Sequence, residues 1–120
     1  MNTSNHDKLF DLSYLNQIFQ GNQEMVHKII QLFLEQVPEY IQEMENCLTR
    51  NDLLALHPLA HKAKSSIAML GLKSLEEKVL RIESDSKAHR NLDVLPDLVH
   101  QLQIDCMTAR QQLADVLQSS

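Results

Sequence analysis

Three residues of the 120-residue chain, His57, His61 and Lys64, lie close together and could do chemistry. A neutral imidazole nitrogen is nucleophilic near neutral pH, because its reference pKa is about 6.5. Lys64 follows His61 by three positions, and residues three apart are neighbours on a helix surface. A flexible ammonium there can neutralise charge on a group attached to the imidazole. Ser65 and Ala68 share the azimuth of His61, one and two turns further on. Both are small, so the space beside the ring is open to a bulky partner. His57 and His61 also have the spacing of two ligands on one metal. No acidic residue or third histidine accompanies them at a predictable place, so no metal site is read. His27, His89 and His100 are scattered and read as surface residues. No Gly-rich phosphate loop is present, so the chain should not use ATP directly.

These side chains can act only if a helix turns them outward. The third helix is predicted from about Asp52 to Leu70, with the stripe Leu56, Ala60, Ala63, Ile67 and Leu70. At about 100° per residue the stripe gathers around one direction, and His61 falls roughly 140° away from it. His61 therefore points to solvent, and Lys64 sits on the flank. Pro58 is expected to divide this helix into a short lead turn and a main part. Gly71 ends it.

The other elements follow from the same periodicity. Residues 1–10 read as a loosely ordered lead-in. Asp11 or Ser13 can cap a short helix carrying Leu15, Ile18 and Phe19, which Gly21 stops. A long helix runs from Gln23, capped by Asn22, to about Arg50, and Pro38 should bend it without ending it. A fourth helix spans about Lys73 to Ala88, with Leu75, Val79, Ile82 and Ser86 on one face. The stretch from His89 to Leu92 is a connection, Asp93 caps the last helix, and Pro96 falls in its first turn. The predicted fold class is all-α. It is an antiparallel up-down-up-down four-helix bundle with a short additional N-terminal helix. It forms one domain over residues 1–120.

Composition narrows the function classes. Hydrophobic residues make up 43% and charged residues 22%, which is a globular balance. The net charge is −5 with no basic stripe, so no nucleic-acid partner is expected. No apolar run is long enough for a membrane span, and residues 1–8 lack a signal-peptide core. The chain reads as cytoplasmic. Cys47 and Cys106 lie inside apolar-periodic segments and read as reduced core cysteines. The starting Met1 and the polar end Gln118-Ser119-Ser120 favour a free-standing protein.

The segment HKAKSSIAMLGL, from His61 to Leu72, resembles the signature of histidine-containing phosphotransfer (HPt) domains. That signature is a His, a Lys three later, small residues next, an apolar pair, and a Gly ten after the His. Here these are His61, Lys64, Ser65 with Ser66, Met69 with Leu70, and Gly71. The stretch FLEQVPEYI, Phe33 to Ile41, is similar to the preceding helix of the family, where a proline commonly sits. The resemblance implies a four-helix bundle whose exposed histidine exchanges a phosphoryl group with an aspartate of a response-regulator receiver domain. His61 is then the phosphoacceptor, Lys64 the charge stabiliser, and Ser65, Ala68 and Gly71 supporting residues.

The chain departs from the signature at three places. Ser65 stands where the family usually has Gly, Pro58 lies three residues before His61, and Glu83 and Lys87 occupy turns where some relatives place a Gln and an Arg. Neither Glu83 nor Lys87 is counted as a site residue. The implied protein is a carrier and not an enzyme. It has no cofactor of its own; Mg2+ is expected on the receiver. Its implied partners are receiver domains, including that of a hybrid sensor histidine kinase, and it is a monomer. The docking surface should surround His61. Met69, roughly 140° from the core stripe, is an exposed apolar candidate. Leu15, Ile18 and Phe19 either join that surface or cap the bundle end. Lys62 either steers an acidic receiver face or is a plain solvated lysine. The alternative function is a helical interaction module that binds a kinase or regulator without carrying phosphate.

Overall fold

The computed structural model describes residues 8–119. Five helices follow one another: α1 (Ser13–Ile18), α2 (Gln23–Thr49), α3 (Leu53–Met69), α4 (Lys73–Ala88) and α5 (Leu95–Gln118). No strand occurs among the described residues. The chain is all-helical, as its periodicity predicts.

Local signals set most of the boundaries. The Asn22 side chain accepts from the Met25 N–H at 3.3 Å, and the Asp52 side chain accepts from the Ala55 N–H at 3.2 Å. Each satisfies a donor that a helix start leaves unpaired. Two expected caps are absent. Leu12 stands at the start of α1 without a side-chain cap. Asp11 instead accepts from the Ser13 N–H at 3.0 Å and the Ser13 hydroxyl at 2.6 Å. Nor does Asp93 cap α5. The turn from Asn91 to Val94 closes through a 3.1 Å backbone bond, and Val94 becomes the residue before the helix. Pro96 does fall in the first turn.

Neither internal proline breaks its helix. Pro38 lies within a continuous α2. Pro58 does not divide α3, which runs unbroken from Leu53 to Met69. The missing bond is the one that the Leu54 carbonyl would have received. Leu54 is 84% exposed, so water can satisfy that carbonyl.

Packing closes a ring. Helix α2 packs on α3 and α5, α4 packs on α3 and α5, and α1 rests against α2. The predicted stripe of α3 is wholly buried: Leu56, Ala60, Ala63, Ile67 and Leu70 are all 0% exposed. Phe33, Val37, Ile41 and Met44 of α2, Leu75, Val79 and Ile82 of α4, and Leu102, Ala109 and Leu113 of α5 join them in one cluster. Each large side chain buried in this way contributes about 1.5–3 kcal/mol. Cys47 and Cys106 are buried and unpaired, as the sequence predicts. Burial raises both thiols, that of Cys106 to about 11.

At the described end of the expected loose lead-in, Leu9 and Phe10 are instead held in place. Residues 1–7 lie outside the described residues. Leu9 and Phe10 pack against the core, and the Leu9 N–H donates to Gln112 Oε1 at 2.8 Å. The Asp11 N–H donates to the Leu70 carbonyl at 3.0 Å. Gly71 lies beside that contact with a φ of +63°, and a Cβ there would collide with the Asp11 backbone. Gly71 is thus required twice, for its left-handed backbone and for the close approach. No helix among the described residues is long and apolar enough to cross a membrane.

Candidate functional site

The buried stripe of α3 fixes the azimuth of everything else on that helix. His61 emerges on the opposite side with 64% of its side chain exposed, as predicted. Ser65 is exposed and Ala68 half-buried on the same lane, so the ring is not walled in.

Helix α4 brings a carboxylate to this ring. Glu83 follows the buried Ile82, and Ser86 is buried one turn on, so Glu83 sits at the edge of the α3–α4 contact. Its Oε2 lies 2.7 Å from His61 Nδ1. Lys64 Nζ donates to the same carboxylate, at 3.0 Å to Oε1 and 3.3 Å to Oε2. His57 Nε2 stands 3.9 Å from Oε2. The rings of His57 and His61 stack with centroids 6.5 Å apart and planes inclined by 28°. Three groups able to carry positive charge thus converge on one carboxylate whose side chain is only 16% exposed.

Partial burial alone would raise the Glu83 carboxyl. The hydrogen bonds from His61 and Lys64, with their charges, outweigh it and hold the group below the ordinary glutamate range. Glu83 is therefore ionised at neutral pH and can only accept hydrogen bonds. The proton in the 2.7 Å contact must then sit on His61 Nδ1. A neutral imidazole with its proton on Nδ1 has its lone pair on Nε2. The site presents an outward nucleophilic nitrogen, a carboxylate that orients it, and a lysine one turn away.

Several residues lie where the sequence did not place them. The histidine pair does have an acidic companion, Glu83, although no group of three or more ligating side chains among the described residues is placed to hold a metal ion. Met69 is half-buried and packs against the core, so it is not the exposed apolar contact expected. A single helix wheel counts one buried face, whereas α3 touches both α2 and α4. Leu15 is 0% exposed and belongs to the core, which removes it from any docking surface. Phe19 is half-buried against the same core, while Ile18 is 44% exposed and Lys62 is exposed. Lys87 is exposed on α4 and makes none of the contacts above.

Glu83 is the residue that the sequence reading missed, and a signal for it existed. His61 precedes Gly71 by ten positions and Glu83 follows it by twelve. Two helices folding back on each other about a tight turn pair residues nearly equidistant from that turn.

The model of one protein family, the Hpt domain, matches residues 28–118, from the first turns of α2 to the end of α5. No curated protein and no solved structure matches the chain.

Proposed function

This chain belongs to the Hpt domain family, and from that membership we propose that it relays phosphoryl groups in a two-component system, loaded and unloaded at His61. One observation carries the reading: His61 projects into solvent while the Glu83 carboxylate lies 2.7 Å from its Nδ1, a contact that directs the proton of a neutral imidazole to Nδ1 and its lone pair to Nε2. Four long helices in an up-down-up-down antiparallel bundle, with α1 over one end, form the scaffold. The reading sets the protein in the cytoplasm as a monomeric carrier without ATP chemistry of its own.

In the loading step Nε2 attacks the phosphorus of a receiver's aspartyl phosphate in line. The N–P bond forms as the P–O bond to the aspartate breaks, and the aspartate leaves as a carboxylate. The imidazole keeps its Nδ1 proton and gains positive charge, which the ionised Glu83 faces at 2.7 Å. An oriented carboxylate of this kind stabilises an imidazolium as it forms. The loose transition state spreads negative charge over the equatorial oxygens. Lys64 has three donors, so it can keep one contact with Glu83 and turn another toward those oxygens. Mg2+ held by the receiver would neutralise more of that charge. Ser65 and Ala68 keep the approach clear, and the exposed Lys62 and Ile18 are the residues offered to the receiver face. Unloading is the reverse step onto a second receiver aspartate.

The test is incubation with a receiver domain phosphorylated on its aspartate. Relay requires acid-labile, base-stable phosphate on the wild type and none on His61→Gln. Binding without transfer would leave only the interaction-module reading.

A further inference from the structure

The relay reading uses His61, Lys64 and Glu83 and leaves His57 without a task. Yet His57 stacks on His61 at 6.5 Å, one turn earlier on α3, and its Nε2 is 3.9 Å from the Glu83 oxygen that binds His61. The geometry points to His57 as a positioning residue that regulates this site: once protonated, it takes a share of Glu83 Oε2 from His61 and slows phosphoryl loading. The inference rests on the relay reading.

The argument is one of competition. A neutral His57 at 3.9 Å makes no hydrogen bond to Oε2. An imidazolium at that distance carries a charge within the range where a carboxylate responds strongly. The side chain is 30% exposed, so protons reach it from solvent. The groups facing it are few. His61 lies beside it on α3, Glu83 faces it from α4, and Lys64 reaches the same carboxylate. Among the described residues no charged group of α2, the other helix packed on α3, pairs with it. Every unit of Glu83 charge directed to His57 is withdrawn from the Nδ1–H bond that sets the His61 tautomer. The site would thus load less readily in acid than protonation of His61 alone dictates.

Phosphoramidate tests this without a receiver, whose own titration would intrude. The P–N bond of the donor breaks, ammonia leaves, and the N–P bond forms on His61 Nε2. Loading rates are measured on the whole protein, wild type and His57→Asn, from pH 8 to pH 5, with circular dichroism confirming the fold at each pH. The donor's titration is common to both and cancels in the ratio. The expected result is a ratio of variant to wild-type rate that climbs several-fold between pH 8 and pH 5, the range in which histidine charge changes. In a Glu83→Gln background the same His57→Asn change should leave that ratio flat, because the coupling runs through the carboxylate. A ratio flat or falling in the Glu83 protein overturns the assignment while the relay stands. Absence of loading in the wild type at every pH overturns the relay and the assignment together.

Discussion

An imidazole has two nitrogens, and a neighbour that accepts from one makes the other available. Glu83 performs that selection, and the consequences belong to single side chains. Glu83→Ala should lower the loading rate of His61 by about tenfold or more, since each tenfold is about 1.4 kcal/mol of transition-state stabilisation. Glu83→Gln should cost less, because an amide oxygen can still accept from Nδ1. Single-turnover loading from phosphoramidate measures both. Glu83 also links the site to stability. Its folded carboxyl lies below the ordinary value of 4.5, so ionisation stabilises the fold at pH values above 4.5. That contribution is lost as pH falls through the lowered folded value. Urea unfolding at pH 6 and pH 3 should therefore show a larger acid loss in the wild type than in Glu83→Gln. His61 and Lys64 were legible from chain order alone, since their spacing defines one helical face. Glu83 was only partly so: its distance from Gly71 points to a pairing with His61, but the contact itself depends on where α4 lies against α3.

At the scale of elements, the turn at Gly71 does two jobs. It reverses the chain from α3 to α4 and admits the Asp11 backbone over the end of α3. Gly71→Ala should destabilise the protein by at least about 1–2 kcal/mol, through the strained φ and the collision together. Thermal unfolding measures this as a lowered Tm. Within α1 two neighbours should behave oppositely. Leu15→Ala opens a cavity in the core and should cost about 2–5 kcal/mol. Ile18→Ala, on the exposed side, should stay within about 0.5 kcal/mol. The helices themselves were legible because apolar residues recur with the helical period. Their fine boundaries were less so. Asp93 is a strong capping residue by type, yet a backbone turn ends at Val94 and sets the start of α5 instead. Pro58 reads as a break, yet an exposed turn absorbs the lost hydrogen bond. Both outcomes depend on surroundings that a linear pattern does not contain.

On the scale of the whole molecule, one continuous core holds α3 and α4 in the register that joins His61 to Glu83. Cys106 reports on that core, because burial raises its thiol to about 11 and leaves it 1% exposed. A disulfide reagent at pH 8 should label Cys106 slowly in the native protein and rapidly in urea, since the thiolate is the reactive form. The central claim is narrower: the assembled site offers Nε2 of His61, and no other atom, to phosphorus. Its most direct test is nuclear magnetic resonance on protein with 15N-labelled histidines, before and after phosphorylation by a receiver domain. The account predicts that free His61 carries its proton on Nδ1 and that phosphorus–nitrogen coupling then appears at its Nε2. Coupling at Nδ1, or at any other histidine of the chain, would contradict it.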